Sequence, residues 1–461
     1  MITIAFFAFV ALAALVALTD WQRGWLLVLV VGVLQDPVRK LTPGAPIYVT
    51  FSVLVVVAAM MFASHVRVTL NLREFTRRFA SISQATMLVL IMLVIAAING
   101  ILTFGLAAWK APVLSFAIYT APVAAVLFGY TWLTREEMAY RFMSFYSVIT
   151  SIALVGSVLE YLRVKAPGLG LVASYGDYVR QLPGLTIRMV SGFYRAPDVM
   201  GWHAAMLASI GIAMAVRAGM RARALPWLLA TGWGFYNCMI SGRRKAIYFV
   251  LAFAAVFVWR YFRRLQLSQL ISIAIAGAIM LLVVRNLAST EDTSVYTRGA
   301  MTSREELFQR LEGGMFATMR EFGIMGAGLG SATQGVRHVL GTESDVGWQE
   351  GGLGKLTVEV GLPGVIAVGV LAWAMFRLFL LMTRIGDVPG SSQFLRVTLF
   401  ALVAANVANF IASAQAYTDP LLALVTAFVL GCLFASATLD DRLAAQEQTP
   451  QTALTPATAS A

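Results

Sequence analysis

Charge is scarce in this chain. Asp, Glu, Lys and Arg together make 13% of its 461 residues, against about a quarter in an ordinary soluble domain. That shortage, with 59% apolar residues and a mean hydropathy of +0.77, excludes a soluble globular enzyme and a disordered protein. Cysteine is equally sparse. Cys238 and Cys432 both sit in apolar runs, which excludes a disulfide-rich scaffold and offers no metal-ligand spacing. They read as small buried hydrophobes. Histidine occurs three times, at His65, His203 and His338. No Asp-x-Asp pattern stands in a hydrophilic loop, and Asp177, Glu343 and Asp345 are too scattered for a divalent site.

What is present is apolar sequence in lengths near the 20 or so residues that cross a bilayer. Thirteen runs qualify: 2–19, 25–35, 46–63, 85–104, 112–131, 142–161, 197–216, 225–241, 246–260, 267–286, 354–381, 394–412 and 418–437. The second is short and stops at Asp36-Pro37. The expected fold is therefore an all-α polytopic membrane protein of about 12–13 transmembrane helices. Its segments are an N-terminal transmembrane bundle (1–286), a large extracytoplasmic loop (287–353), C-terminal transmembrane helices (354–437) and a disordered tail (438–461) rich in Ala, Thr, Gln and Pro. Within the large loop, Ser303–Arg320 carries Leu307, Leu311, Met315 and Met319 on one face, the spacing of an amphipathic helix.

The chain has 35 basic and 23 acidic residues, a net charge of +12. In a membrane protein such an excess reports orientation before it reports a nucleic-acid partner, and no nucleic acid is expected. Arg67, Arg73, Arg77 and Arg78, then Arg217, Arg221 and Arg223, then Arg260, Arg263 and Arg264, then Arg377, Arg384 and Arg396 all fall on one side if the runs alternate. That side is taken as cytoplasmic. No Lys or Arg precedes the first run, so it reads as a retained span with its N-terminus outside.

One loop breaks the pattern. Ser241-Gly242-Arg243-Arg244-Lys245 places three consecutive cations on the outer side between two apolar runs. Moving it inside would move six other cations outside, so the exception stands and asks for an anion. Arg188, Arg195, Arg298 and Arg304 are further outward candidates. The planar guanidinium fork donates two parallel hydrogen bonds to phosphate and keeps its charge.

Three pieces of sequence resemble the superfamily of O-antigen ligases and polysaccharide polymerases. The first is Arg188-Met-Val-Ser-Gly192-Phe-Tyr-Arg195-Ala-Pro197-Asp198-Val-Met-Gly201, where the family usually has Asn in place of Asp198. The second is Ser241-Gly-Arg-Arg244-Lys-Ala246, with Arg244 at the position of the family's motif Arg. The third is Arg304 followed by Gly323-Ile-Met-Gly326-Ala-Gly328-Leu-Gly330, and then by Glu350 through Glu359-Val-Gly361-Leu-Pro-Gly364. Glu350 stands where the ligases have a functional His, a departure that tilts the reading toward a polymerase.

The resemblance implies metal-independent glycosyl transfer at the periplasmic face of a bacterial inner membrane, without a cofactor. The donor would be an undecaprenyl-pyrophosphate-linked glycan and the acceptor a second glycan, with membrane lipid around both. A chain-length regulator or a flippase is the partner it implies. Arg244 would stabilise the pyrophosphate, with Arg304 beside it. Glu350, by its place in the motif, would serve as the base or acceptor orienter; His338, nearby in sequence but not at the family's His position, is the candidate proton shuttle. Arg188, Arg195, Arg243 and Lys245 would bind the substrate. The alternatives are a ligase that transfers finished glycan to lipid A-core or protein, and a flippase for the lipid-linked oligosaccharide. A flippase calls for ionisable residues within the spans.

Overall fold

A computed structural model describes residues 1–66, 70, 72–170, 179–182, 185–219, 221–262, 265–289, 294–297, 315–332, 351–383 and 392–447. Each of the thirteen apolar runs is helical. The first half of the chain forms α1 (Ile2–Thr19), α2 (Trp21–Leu41), α3 (Ser52–Val66), α4 (Leu72–Arg78), α5 (Ala80–Phe104), α6 (Lys110–Trp132), α7 (Glu136–Ala153) and α8 (Val155–Tyr161). The second half forms α9 (Pro197–Ala218), α10 (Leu225–Ile240), α11 (Arg244–Tyr261), α12 (Leu267–Ala288), α13 (Gly352–Met382), α14 (Gln393–Ala412) and α15 (Pro420–Glu447).

Among the described residues, ten helical segments are long and apolar enough to cross a membrane, fewer than the 12–13 expected. The difference lies in α2, α10 and α11. Helix α2 carries Arg23, Asp36, Arg39 and Lys40, α10 has 16 residues, and α11 contains Arg244, Lys245 and Arg260. Helices α7 and α8 count as one span of 26 residues.

Three further expectations change. Helix α2 does not stop at Asp36-Pro37 but runs on to Leu41. Proline removes one intrahelical hydrogen bond, and the turn that contains it is tied down by Asp36, Arg39 and Lys40, which bond to Arg195, Ala45 and Gly192. The described residues are not purely α: β1 (Val179–Leu182) and β2 (Leu185–Arg188), before α9, pair antiparallel, with Val179 opposite Arg188. Helix α15 continues to Glu447, ten residues beyond the expected span end, and 448–461 lie outside the described residues. Of the expected amphipathic helix, 303–314 lie outside the described residues, and 315–322 are helical.

Helix α9 is the axis of the bundle. Every residue from Pro197 to Val216 is buried, and α10, α11, α12, α7 and α14 all pack on it. Small residues let the helices come close. A Cβ on Gly431 of α15 would lie 2.1 Å from the Val126 carbonyl of α6, and one on Gly129 would lie 2.2 Å from the Phe428 carbonyl. Dispersion between close backbones is the main cohesive force available between apolar helices in lipid. Large aromatics fill the space beside this contact, where Trp25 stacks on Phe428 with centroids 4.2 Å apart.

Part of the expected outer loop is built into the bundle. The segment 323–332 lies against α5, α6 and α13. The Leu329 N–H donates to the Ala96 carbonyl (2.9 Å), the Ala327 N–H to Val358 (2.8 Å), and the Leu362 N–H to Ile324 (2.8 Å). Gly328 explains the glycine pattern: its φ is +90°, and a Cβ there would lie 2.2 Å from the Gly100 nitrogen. Opposite it, α13 kinks at Gly361, which also has a positive φ and precedes Pro363.

Candidate functional site

Helix ends converge at the side of the bundle that the cation distribution assigns to the outside. Helices α2, α8, α10 and α14 end there, and α9, α11 and α15 begin there. Helix N-termini carry partial positive charge and unpaired N–H groups, so three of them favour acids nearby. Asp198 occupies the first turn of α9, whose first residue is Pro197, and Asp419 caps α15 by accepting the Leu422 N–H at 3.0 Å.

The segment 188–198 is the centrepiece. The Glu160 carboxylate at the end of α8 accepts the backbone N–H groups of Ser191 (3.1 Å) and Gly192 (2.6 Å). Two consecutive N–H groups can face one carboxylate because Gly192 has φ +58°. A Cβ there would also lie 2.5 Å from the Ser157 nitrogen. From the opposite side, the Lys40 ammonium donates to the Gly192 carbonyl at 2.7 Å and to the Ser191 hydroxyl at 3.4 Å. Three residues on, the Arg195 backbone N–H donates to Asp36 (2.9 Å) while its guanidinium pairs with Asp419 (3.3 Å).

The 241–245 loop docks on this segment. Gly242, at φ +67°, brings the loop against Ile187 and Met189. The Ser241 hydroxyl accepts the Arg243 N–H at 3.2 Å. The Arg243 guanidinium meets the Asp198 carboxylate at 2.9 Å, and Lys245 pairs with the other carboxylate oxygen. Lys245 also donates to the Ser413 hydroxyl (2.8 Å) and reaches Gln415 at 3.5 Å. Arg244 is half-buried at the first residue of α11.

The expected substrate-binding set therefore divides. Arg195, Arg243 and Lys245 are drawn together, but each is held by a carboxylate inside the protein rather than presented as a bare charge. Buried cations require such partners, because desolvating a lone charge costs several kcal/mol. Arg188 stays exposed at the end of β2, and its carbonyl accepts the Tyr296 hydroxyl at 2.8 Å. Burial pushes the Tyr296 phenol up to about 12. Glu350, Arg304 and His338 lie outside the described residues, as does Arg298.

Sequence reasoning missed the acids. Asp36, Glu160 and Asp419 each end or begin an apolar run, which is a signal, but their partners are 31 to 224 positions away. It also missed a second polar cluster beneath the glycine-rich segment. There Glu359 of α13, wholly buried, accepts the Tyr119 hydroxyl, and Lys355 one turn earlier lies over the Tyr119 ring at 5.6 Å. Asn99 of α5 donates to the Gly326 carbonyl at 3.1 Å and ties this cluster to the inserted loop.

His203 forms an interhelical bond: its Nδ1 lies 2.8 Å from the Tyr146 hydroxyl, with the Tyr194 ring stacked at 4.8 Å. Cys238 and Cys432 are both buried and free, as their apolar surroundings suggested. No group of three or more His, Cys, Asp or Glu side chains suited to a metal ion occurs among the described residues. No protein-family model matches the chain, and no curated protein matches it.

Proposed function

We propose that the chain is a membrane glycosyltransferase of the polysaccharide polymerase type. It would join oligosaccharide repeat units carried on undecaprenyl pyrophosphate at the outer face of a bacterial inner membrane. The observation that carries this reading is the contact between motif pieces that lie far apart in sequence. The 188–198 segment and the 241–245 loop meet through Gly242 and the Asp198 pairs, and the 323–330 turn meets α13 at Val358 and Leu362. Separate stretches that form one end of a bundle are the usual way such sites are assembled from facing helices.

In the proposed reaction a sugar hydroxyl of the acceptor attacks the anomeric carbon of the donor glycan. The new glycosidic bond forms as the bond to the pyrophosphate oxygen breaks, and undecaprenyl pyrophosphate leaves with the electron pair. The acceptor proton passes to a base, the role assigned to Glu350, with His338 as its shuttle. Arg244 and Arg188, with Arg304, are assigned to the growing charge on the leaving pyrophosphate. The salt-bridged Arg195, Arg243 and Lys245 hold the frame in which Arg244 sits. Loss of one such pre-organised donor costs about 10²–10³ in rate.

Deletion of the protein followed by analysis of envelope glycans tests the reading. A polymerase leaves single lipid-linked repeat units and no long chains. Long chains retained on the carrier would instead identify a ligase, and units trapped on the inner leaflet a flippase. Normal polymer from an Arg244→Ala variant at wild-type abundance would overturn the role given to Arg244.

A further inference from the structure

A groove of about 540 Å³ opens at the opposite end of the bundle, between α7 and the last turn of α9. Its walls are graded by polarity. Its polar lining is Glu137 and Arg141 from the first turns of α7 and Arg217 from the last turn of α9. Below them the lining turns apolar through Phe145, Met214 and Val148, and Val148 is 60% exposed on the outer surface of the bundle. From Arg141 to Val148 the α7 axis rises about 10 Å, a good part of one bilayer leaflet.

Arg217 is pre-positioned. Its guanidinium carbon lies 3.4 Å from the centroid of the buried Tyr140 ring. A guanidinium that stacks by its flat face keeps its N–H edge, the edge that binds a phosphate, free for another partner. Among the described residues neither Arg141 nor Arg217 forms a carboxylate salt bridge. This contrasts with Arg195, Arg243 and Lys245 at the other end, all of which do. The groove lining therefore offers two guanidinium groups without a carboxylate salt bridge among the described residues, with Glu137 in the lining and Glu136 beside Tyr140, next to a strip of apolar surface.

We propose that this groove binds one anionic phospholipid, its phosphate between Arg141 and Arg217 and an acyl chain along Phe145, Met214 and Val148. The two guanidinium groups, neither in a salt bridge among the described residues, select an anionic headgroup over a zwitterionic one, whose own ammonium meets both of them. The exposed apolar strip selects a lipid over a free phosphate. The site is independent of the glycosyl-transfer reading and lies at the end of the bundle away from it.

The test is native mass spectrometry of the full chain in detergent, titrated with phosphatidylglycerol or phosphatidylcholine. The expected result is preferential retention of phosphatidylglycerol, lowered roughly tenfold in Arg141→Gln/Arg217→Gln, the size expected for losing hydrogen bonds to a charged group. Val148→Glu, a change on the exposed face that leaves the core intact, is expected to lose the lipid as well. Arg221→Gln/Arg223→Gln, at the same end but outside the groove, should bind as the wild type does. Equal retention of the two lipids would overturn the proposal. So would wild-type retention in both groove variants, or displacement of the lipid by glycerol phosphate at matched concentration.

Discussion

The Asp198 carboxylate meets the Arg243 guanidinium at 2.9 Å across the boundary between α9 and the 241–245 loop. Lys245 takes the second oxygen, so one acid in the first turn of a buried helix fixes two of the three consecutive cations. This pairing explains how such a loop is tolerated among apolar helices. It also makes Asp198 the residue on which the loop depends.

Asp198→Ala is therefore expected to leave two cations without their partner and to destabilise the fold by about 3–5 kcal/mol, the usual cost of breaking a buried pair. Thermal unfolding in detergent reads it. Asp198→Asn/Arg243→Gln, which removes charge of both signs, should recover part of the loss. A double variant no more stable than the single Ala variant would show that the pair acts through packing and not through charge.

Gly192 sits where both backbone geometry and space exclude a side chain. Gly192→Ala should cost about 1–3 kcal/mol for its φ of +58°, and more for the approach to the Ser157 nitrogen. Glu160→Gln keeps the shape of the acceptor but loses its charge, and should cost less. Unfolding midpoints compared across the two variants check the order.

At the α6–α15 contact, Gly431→Val is expected to separate the helices, because the Val126 carbonyl already stands 2.1 Å from the Cβ position. A fall in the yield of monodisperse protein is the readout. Gly277→Val, at a glycine of α12 with open space around its Cβ position, is the control and should be silent.

Tyr296 yields a pH prediction. Its phenol is raised from 10 to about 12 by burial, so the folded state holds that proton more tightly than the unfolded chain does. The stabilisation is complete below pH 10 and is lost as the pH rises toward 12. Subtracting the ultraviolet titration of Tyr296→Phe from that of the wild type should isolate a phenolate that appears only at the upper end of this range. Ionisation near pH 10 would contradict the buried placement.

The helices were legible because hydropathy alone marks them: all thirteen runs from Ile2 to Ala437 are helical. Positions where an interaction overrides a local signal were not. Pro37 reads as a helix stop, yet bonds from Arg39 and Lys40 to Ala45 and Gly192 secure the turn beyond it. Arg243 and Lys245 read as cations seeking an anion because Asp198, more than 40 positions earlier, carries no sign in sequence that it will face them. The glycines of 323–330 announced a tight turn. Nothing local announced its neighbours, since Gly100 and Val358 lie on helices over 200 positions before it and about 30 after it.

The inserted 323–332 segment also sets an order of assembly. Its hydrogen bonds run to Ala96 on one side and to Val358 on the other. The ribosome delivers α5 and α6 early, the glycine turn some 200 residues later, and α13 last. The seat between Gly100 and Ala111 therefore lacks its final occupant while α7 to α12 are made, and the turn is held from both sides only when α13 arrives. Chains truncated before Gly323 lack the turn that fills that seat and are expected to carry it open permanently, which makes it a natural mark for membrane quality control to recognise.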